Sequence, residues 1–168
     1  MHTAEEHIVE LPFWSGRIKL EPLSGGLSNE SFIVTDTRGK YVARYGNDIA
    51  VHHVLRTREA ELSRAAADLG ISPHLHFAGD GVMIFDFIDG HTFGADDLKT
   101  NLDRSIDIVK RVHTEMHEKI RGPGYLFWVW HVLRDYAHLL RQSTTVPPDL
   151  ERLMAISAAL EKDAGEPY

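Results

Sequence analysis

The sequence predicts an α+β protein in two lobes, with strands gathered in the first half and helices in the second. Three observations carry this. Short apolar runs bounded by turn residues recur as far as Ile88, interrupted by a single helical stretch. From Leu102 onward the apolar spacing is helical only. Between the two regimes, Asp89-Gly90 makes a natural hinge. Strands and helices segregated in this way are the mark of an α+β fold.

Residues 1–16 form a leader with a short helical or turn segment, from which Leu11, Pro12, Phe13 and Trp14 dock on the body. Arg17 to Leu23 is the first strand, and Ser31 to Thr35 the second. Between them, two adjacent glycines sit among small polar residues, Ser24-Gly25-Gly26-Leu27-Ser28-Asn29. Glycine accepts positive φ and has no Cβ to hold a ligand away. Successive N–H groups in such a turn form an anion-binding concavity, to which Ser24, Ser28 and Asn29 add side-chain donors. On its own the pattern is also that of a plain hairpin.

Asp36-Thr37-Arg38-Gly39 turns the chain into a third strand, Lys40 to Tyr45, and Asn47 to His53 is a loop. Val54 to Leu69 is a helix: Leu55, Leu62, Ala65, Ala66 and Leu69 make an apolar stripe, and Gly70 stops it. Two more strands, His74 to Ala78 and Val82 to Ile88, are joined by Gly79-Asp80-Gly81. The second is apolar except for Asp86, as a buried strand is. Helices then span Leu102 to Ile120, Phe127 to Arg141 and Pro148 to Asp163, with breaks at 121–124 and 144–147.

Composition narrows the function. With 43% hydrophobic and 26% charged residues, the 168-residue chain has the make-up of an ordered globular protein. A net charge of −7 argues against nucleic acid, whose backbone calls for a basic face. No apolar run approaches a spanning helix, and no secretory signal is visible, so a cytoplasmic location without membrane contact is expected. With no cysteine there is neither a disulfide nor a thiolate metal site.

Several segments together resemble the choline/ethanolamine kinase family, whose wider group includes aminoglycoside phosphotransferases. Leu23 to Phe32 resembles that family's glycine turn, and Tyr41-Val42-Ala43-Arg44-Tyr45-Gly46 its third strand with a basic residue near the end. Arg56-Thr57-Arg58-Glu59 opening a helix and Leu69-Gly70-Ile71-Ser72-Pro73-His74 after it fit too. Phe85-Asp86-Phe87-Ile88-Asp89-Gly90 resembles the hinge, and Val109-Lys110-Arg111-Val112-His113 the first helix of the second lobe. The resemblance implies a protein-kinase-like fold. Residues 1–89 would be a nucleotide-binding lobe, a five-stranded antiparallel sheet plus one helix. Residues 90–168 would be the opening helices of a second lobe.

It also implies ATP and magnesium, with an amino alcohol such as choline or ethanolamine as acceptor. Phosphoryl transfer is mainly positioning plus charge stabilisation. Gly25 and Gly26 would cover the phosphates, with Ser24, Ser28 and Asn29 beside them. Arg44 would stand where many kinases place a lysine, its planar fork suited to paired phosphate oxygens. A carboxylate from the following helix would hold it. Glu59 is the first choice and Glu61 the second, because their helical spacing lets only one face the strand. Asp86, Phe87 and Ile88 would offer backbone groups to the adenine edge, with an apolar wall from Ile84 or Phe85.

Other constellations are weaker. His113 and His117, one helical turn apart, have a spacing that can hold zinc, but Thr114 replaces the glutamate a metalloprotease needs. His74 and His76 share a strand face without a third partner, and His52-His53 belongs to loop surface. Trp128 and Trp130, with Tyr125 and Phe127, either pack the second lobe or line a pocket for an organic cation.

The family's catalytic loop, His-x-Asp, has no counterpart. None of the eleven histidines is followed two places later by aspartate. No catalytic residue or metal ligand is therefore expected in these residues, and the chain alone should not transfer phosphate. Two readings follow: a small-molecule kinase truncated before its catalytic loop, or a non-catalytic nucleotide-binding or interaction module. A truncated lobe would also expose the faces of the last helices, with self-association as the consequence.

Overall fold

A computed structural model of the chain describes residues 3–24, 29–122 and 127–165. It divides into two compact units, Met1–Ala50 with Val54–Gly122, and Val51–His53 with Pro123–Tyr168.

The first unit is built on a five-stranded antiparallel sheet. Its strands are β1 (Lys19–Leu23), β2 (Glu30–Thr35), β3 (Lys40–Tyr45), β4 (Leu75–Gly79) and β5 (Val82–Asp86), in the spatial order β1-β2-β3-β5-β4. Pro22, which lacks an amide donor, sits in the edge strand β1, where its absence from the outer side of the ladder is tolerated. Asp80 and Gly81, at φ +50° and +75°, make a two-residue turn between β4 and β5, the geometry that matches strand twist.

Alternation along the strands gives the sheet two apolar faces. On one, Phe32, Val34, Ala43, Val82 and Ile84 are buried beneath a short helix α1 (Ala4–Val9), with Ala4, Ile8 and Leu11 reaching down onto them. This leader helix has a capping box: the Thr3 N–H donates to Glu6 Oε2 at 2.8 Å, and the Glu6 N–H to Thr3 Oγ1 at 3.2 Å. Phe13 and Trp14 pack against the same cluster, whereas Pro12, expected to dock with them, stays exposed. On the other face, Leu75, Met83 and Phe85 meet Ala60 of α2 (Arg56–Asp68). With both faces covered, Val82, Met83, Ile84 and Phe85 of β5 are all buried. Gly70, at φ +68°, follows α2, and the Arg111 guanidinium donates to the carbonyl of Leu69 at the helix end.

The helical stretch expected over 102–120 is interrupted. An additional short helix α3 (Ala95–Thr100) precedes it, and the stretch itself splits at Glu115 into α4 (Leu102–Thr114) and α5 (Met116–Lys119). In the second unit, α6 (Val129–Arg141) and α7 (Leu150–Ala164) pack on each other and bury Val132, Ala137, Leu150 and Ser157. Arg141 meets Glu151 through two bonds of 2.8 and 3.0 Å, and Trp128 Nε1 donates to Glu161 at 3.3 Å. No helix among the described residues is long and apolar enough to cross a membrane.

Candidate functional site

The sheet face that carries α2 also carries the candidate site. Strand registers place Leu23, Ser31, Arg44 and Met83 in one row across this face, and Glu21, Ile33, Val42 and Phe85 in the next. A cavity of about 500 Å³ opens here, with Leu23, Ile33, Val42 and Phe85 as apolar wall, Arg44 on one side and residues 86–90 on the other. Its size and its mix of an apolar wall with a few polar groups are those of small-molecule sites.

Arg44 Nη2 lies 2.9 Å from Glu59 Oε1. Of the two glutamates considered for this pairing, Glu61 instead lines a neighbouring cavity of about 330 Å³, together with Asn29, Gly46, Arg56 and Arg64. The Arg44 guanidinium also stands 5.8 Å from the centre of the Phe85 ring, within cation–π range. Glu59 has a second cationic partner that the sequence reading did not include in the site, Arg56, at 2.5 Å. The signal was present, since Arg56 and Glu59 stand three residues apart, the spacing at which helical ion pairs form.

The other expected site residues divide into groups. Gly25, Gly26 and Ser28 lie outside the described residues; Ser24 and Asn29 flank them, and Asn29 lines the cavity around Gly46. Phe85, Phe87 and Ile88 line the larger cavity. Ile84, the alternative wall residue, belongs to the opposite core because the strand's period of two turns it away from Phe85. Asp86 lines the cavity too, but its N–H already donates to the His74 carbonyl at 3.1 Å. Its carboxylate reaches His76 Nε2 at 2.6 Å. Phe87 and Ile88 lie past the end of β5, where the ladder stops.

The histidine pairs rearrange as well. His113 lies in the last turn of α4 and His117 in α5, with the break at Glu115 between them. The His74 and His76 rings stand 4.7 Å apart, and the Asp86 carboxylate pairs with His76 alone. Among the described residues no group of three or more His, Asp or Glu side chains could hold a metal ion. His52 and His53 are not bare loop surface: His52 Nδ1 lies 3.2 Å from the Tyr136 hydroxyl, and His53 Nε2 3.0 Å from Asp135. Trp130 lines an apolar groove between α6 and α7; Tyr125 lies outside the described residues.

A profile of the phosphotransferase enzyme family matches residues 19–166. The chain belongs to the phosphotransferase enzyme family. Solved structures similar to this phosphotransferase-family chain include choline kinase from Cryptosporidium parvum Iowa II (14% identity, TM-score 0.63, covering 94% of this chain and 48% of that one). Others are Plasmodium vivax ethanolamine kinase (17%, 0.63, 94% and 49%) and choline kinase LicA from Streptococcus pneumoniae (20%, 0.67, 86% and 53%). At these identities the likeness is one of fold, a kinase-like α+β architecture. The chain spans about half the length of the solved structures it matches. No curated protein matches it significantly.

Proposed function

We propose that this chain is the nucleotide-binding part of a small-molecule kinase, one that phosphorylates an amino alcohol such as choline or ethanolamine with ATP. Residues 1–89 are the nucleotide lobe in this reading, and residues 90–168 open the second lobe. The observation that carries it is the cavity lined by Arg44, which Glu59 holds at 2.9 Å, and by residues 86–90. The adenine would lie against Leu23, Ile33, Val42 and Phe85, beside the backbone of Phe87 and Ile88. The phosphates would meet the Arg44 fork, with Ser24, Asn29 and the turn they flank (Gly25, Gly26 and Ser28) close by.

The residues lining the larger cavity would hold ATP, whereas no ligand set for magnesium occurs among the described residues. A second reading, a non-catalytic nucleotide-binding or interaction module, is favoured by one observation: no His-x-Asp occurs in the 168 residues. In the kinase reading these residues by themselves would bind ATP and transfer no phosphate. Calorimetry with ATP tests the site: Arg44→Ala should weaken binding roughly tenfold, the loss of one charge-assisted contact. An unchanged affinity would remove Arg44 from the site. Transfer of phosphate to choline or ethanolamine at a rate that scales with the concentration of this chain would overturn the expected inactivity. Self-association belongs to the same reading, because Leu102, Ile106 and Val109 share an exposed face of α4. Sedimentation that does not vary with concentration would contradict it.

A further inference from the structure

Three chain segments meet at Gly46. Its N–H donates to the Gly81 carbonyl at 2.9 Å, which holds the end of β3 against the β4–β5 turn. A Cβ built on it would lie 2.5 Å from Asn29 Oδ1 and 2.6 Å from an Arg56 terminal nitrogen. The space over its Cα is thus filled by the residue that follows the glycine turn and by the first residue of α2.

Arg56 is the most enclosed charge of this group, its side chain 12% exposed against 25% for Glu59 and 33% for Arg44. It is tied down along its length. Its main-chain N–H donates to Asp48 Oδ1 at 2.7 Å, its Nε to the Asn47 carbonyl at 2.9 Å, and its Nη1 to Glu59 Oε2 at 2.5 Å. Glu59 has one other oxygen, and that oxygen, Oε1, is the atom that meets Arg44. A carboxylate is planar, so fixing Oε2 also fixes the direction in which Oε1 points.

The structure assigns Arg56 a positioning role: it clamps Glu59 so that the carboxylate presents Oε1 to Arg44, and Gly46 keeps open the space its guanidinium needs. A guanidinium suits this task because its rigid fork can hold a carboxylate and a carbonyl at once. Without the clamp, Glu59 regains rotamer freedom and Arg44, which lines both cavities, loses the partner that fixes its place beside the larger one. The inference rests on the reading of Arg44 as the phosphate-contacting group.

Calorimetric titration of the full 168-residue chain with ATP tests it through a double-mutant cycle. Arg56→Ala should raise the Kd roughly tenfold when Glu59 is present and less than twofold in a Glu59→Gln background, a coupling of the size found within one ion-pair network. Gly46→Ala, which displaces the Arg56 guanidinium without removing it, should reproduce the loss; because its Cβ also meets Asn29 Oδ1, an Asn29→Ala background is the one in which it should not add to Arg56→Ala. If Arg56→Ala does not fold, Arg56→Lys, which offers one ammonium in place of the fork, carries the same cycle. Equal losses in both backgrounds, or no loss, overturn the positioning role while leaving the nucleotide reading intact. A wild-type chain that does not bind ATP overturns the nucleotide reading, and the inference falls with it.

Discussion

Asp36 shows how much one side chain can organise. Its carboxylate accepts from the N–H groups of Ser15, Arg38 and Gly39 at 3.0, 2.7 and 3.2 Å, and from the Arg38 guanidinium at 2.7 and 2.9 Å. It thereby closes the β2–β3 turn and ties the leader to it. Burial pushes its pKa up, but the Arg38 guanidinium and the three N–H groups outweigh this and bring it down to about 2. A depressed carboxylate contributes stability that is present above its ordinary value of 3.8 and is lost as pH falls through about 2. Asp36→Asn should therefore melt earlier at neutral pH, by about 2 kcal/mol, with the difference from wild type shrinking as the acid limit is approached. Denaturant titrations of both proteins between pH 7 and pH 2 check this. A gap constant with pH would mean that the hydrogen bonds act independently of the charge. The turn at Asp36-Thr37-Arg38-Gly39 is legible in the sequence, but the anchoring role of Asp36 is not, because its partner Ser15 lies 21 residues away.

At the scale of elements, local pattern was the reliable guide. The strand at Lys40–Tyr45, the helix stopped by Gly70, and the Asp80-Gly81 turn were legible because each rests on neighbouring residues: alternation, apolar stripe, positive φ. The break at Glu115 was not, since the apolar spacing continues across it. Nor was the short helix α3, capped by Gly94, with Asp97 accepting from the Gly94 N–H at 2.8 Å. In the candidate site, Arg44 is suggested by the family resemblance and helical spacing lets only one of Glu59 and Glu61 face it; the 2.9 Å contact is with Glu59. The reach of Asp86 to His76 and of Arg56 to Gly46 was not legible, because these depend on how separate segments meet. Two substitutions separate local from long-range support. Gly70→Ala meets no atom within 4 Å, so only its left-handed backbone resists, and about 1 kcal/mol of stability should be lost. Ile8→Ala empties a fully buried position on the inner face of α1 and should cost about 3 kcal/mol. Chemical denaturation that ranks the two in the opposite order would show that the leader contributes little to the first unit.

For the whole molecule, the two units differ in how much they bury. The sheet encloses apolar residues on both faces, whereas α6 and α7 leave Leu153, Ile156 and Leu160 in contact with water. Local opening follows buried contact, so amides of β2, β3 and β5 should exchange with deuterium far more slowly than those of α6 and α7. Exchange at matched rates would mean that the units open together. The distribution of tryptophan gives these differences an optical handle. The chain has three: Trp14 in the first unit and Trp128 and Trp130 in the second. The Trp14 indole donates to the Ile8 carbonyl at 2.6 Å and stands edge-on to Phe13 and Tyr41, so its emission colour depends on the leader staying seated. Trp128→Phe with Trp130→Phe leaves a chain whose fluorescence comes from that leader alone, and Trp14→Phe leaves one that glows only from the helical pair. Two spectra, taken with an ordinary fluorimeter, would then follow each half of the molecule without any added dye.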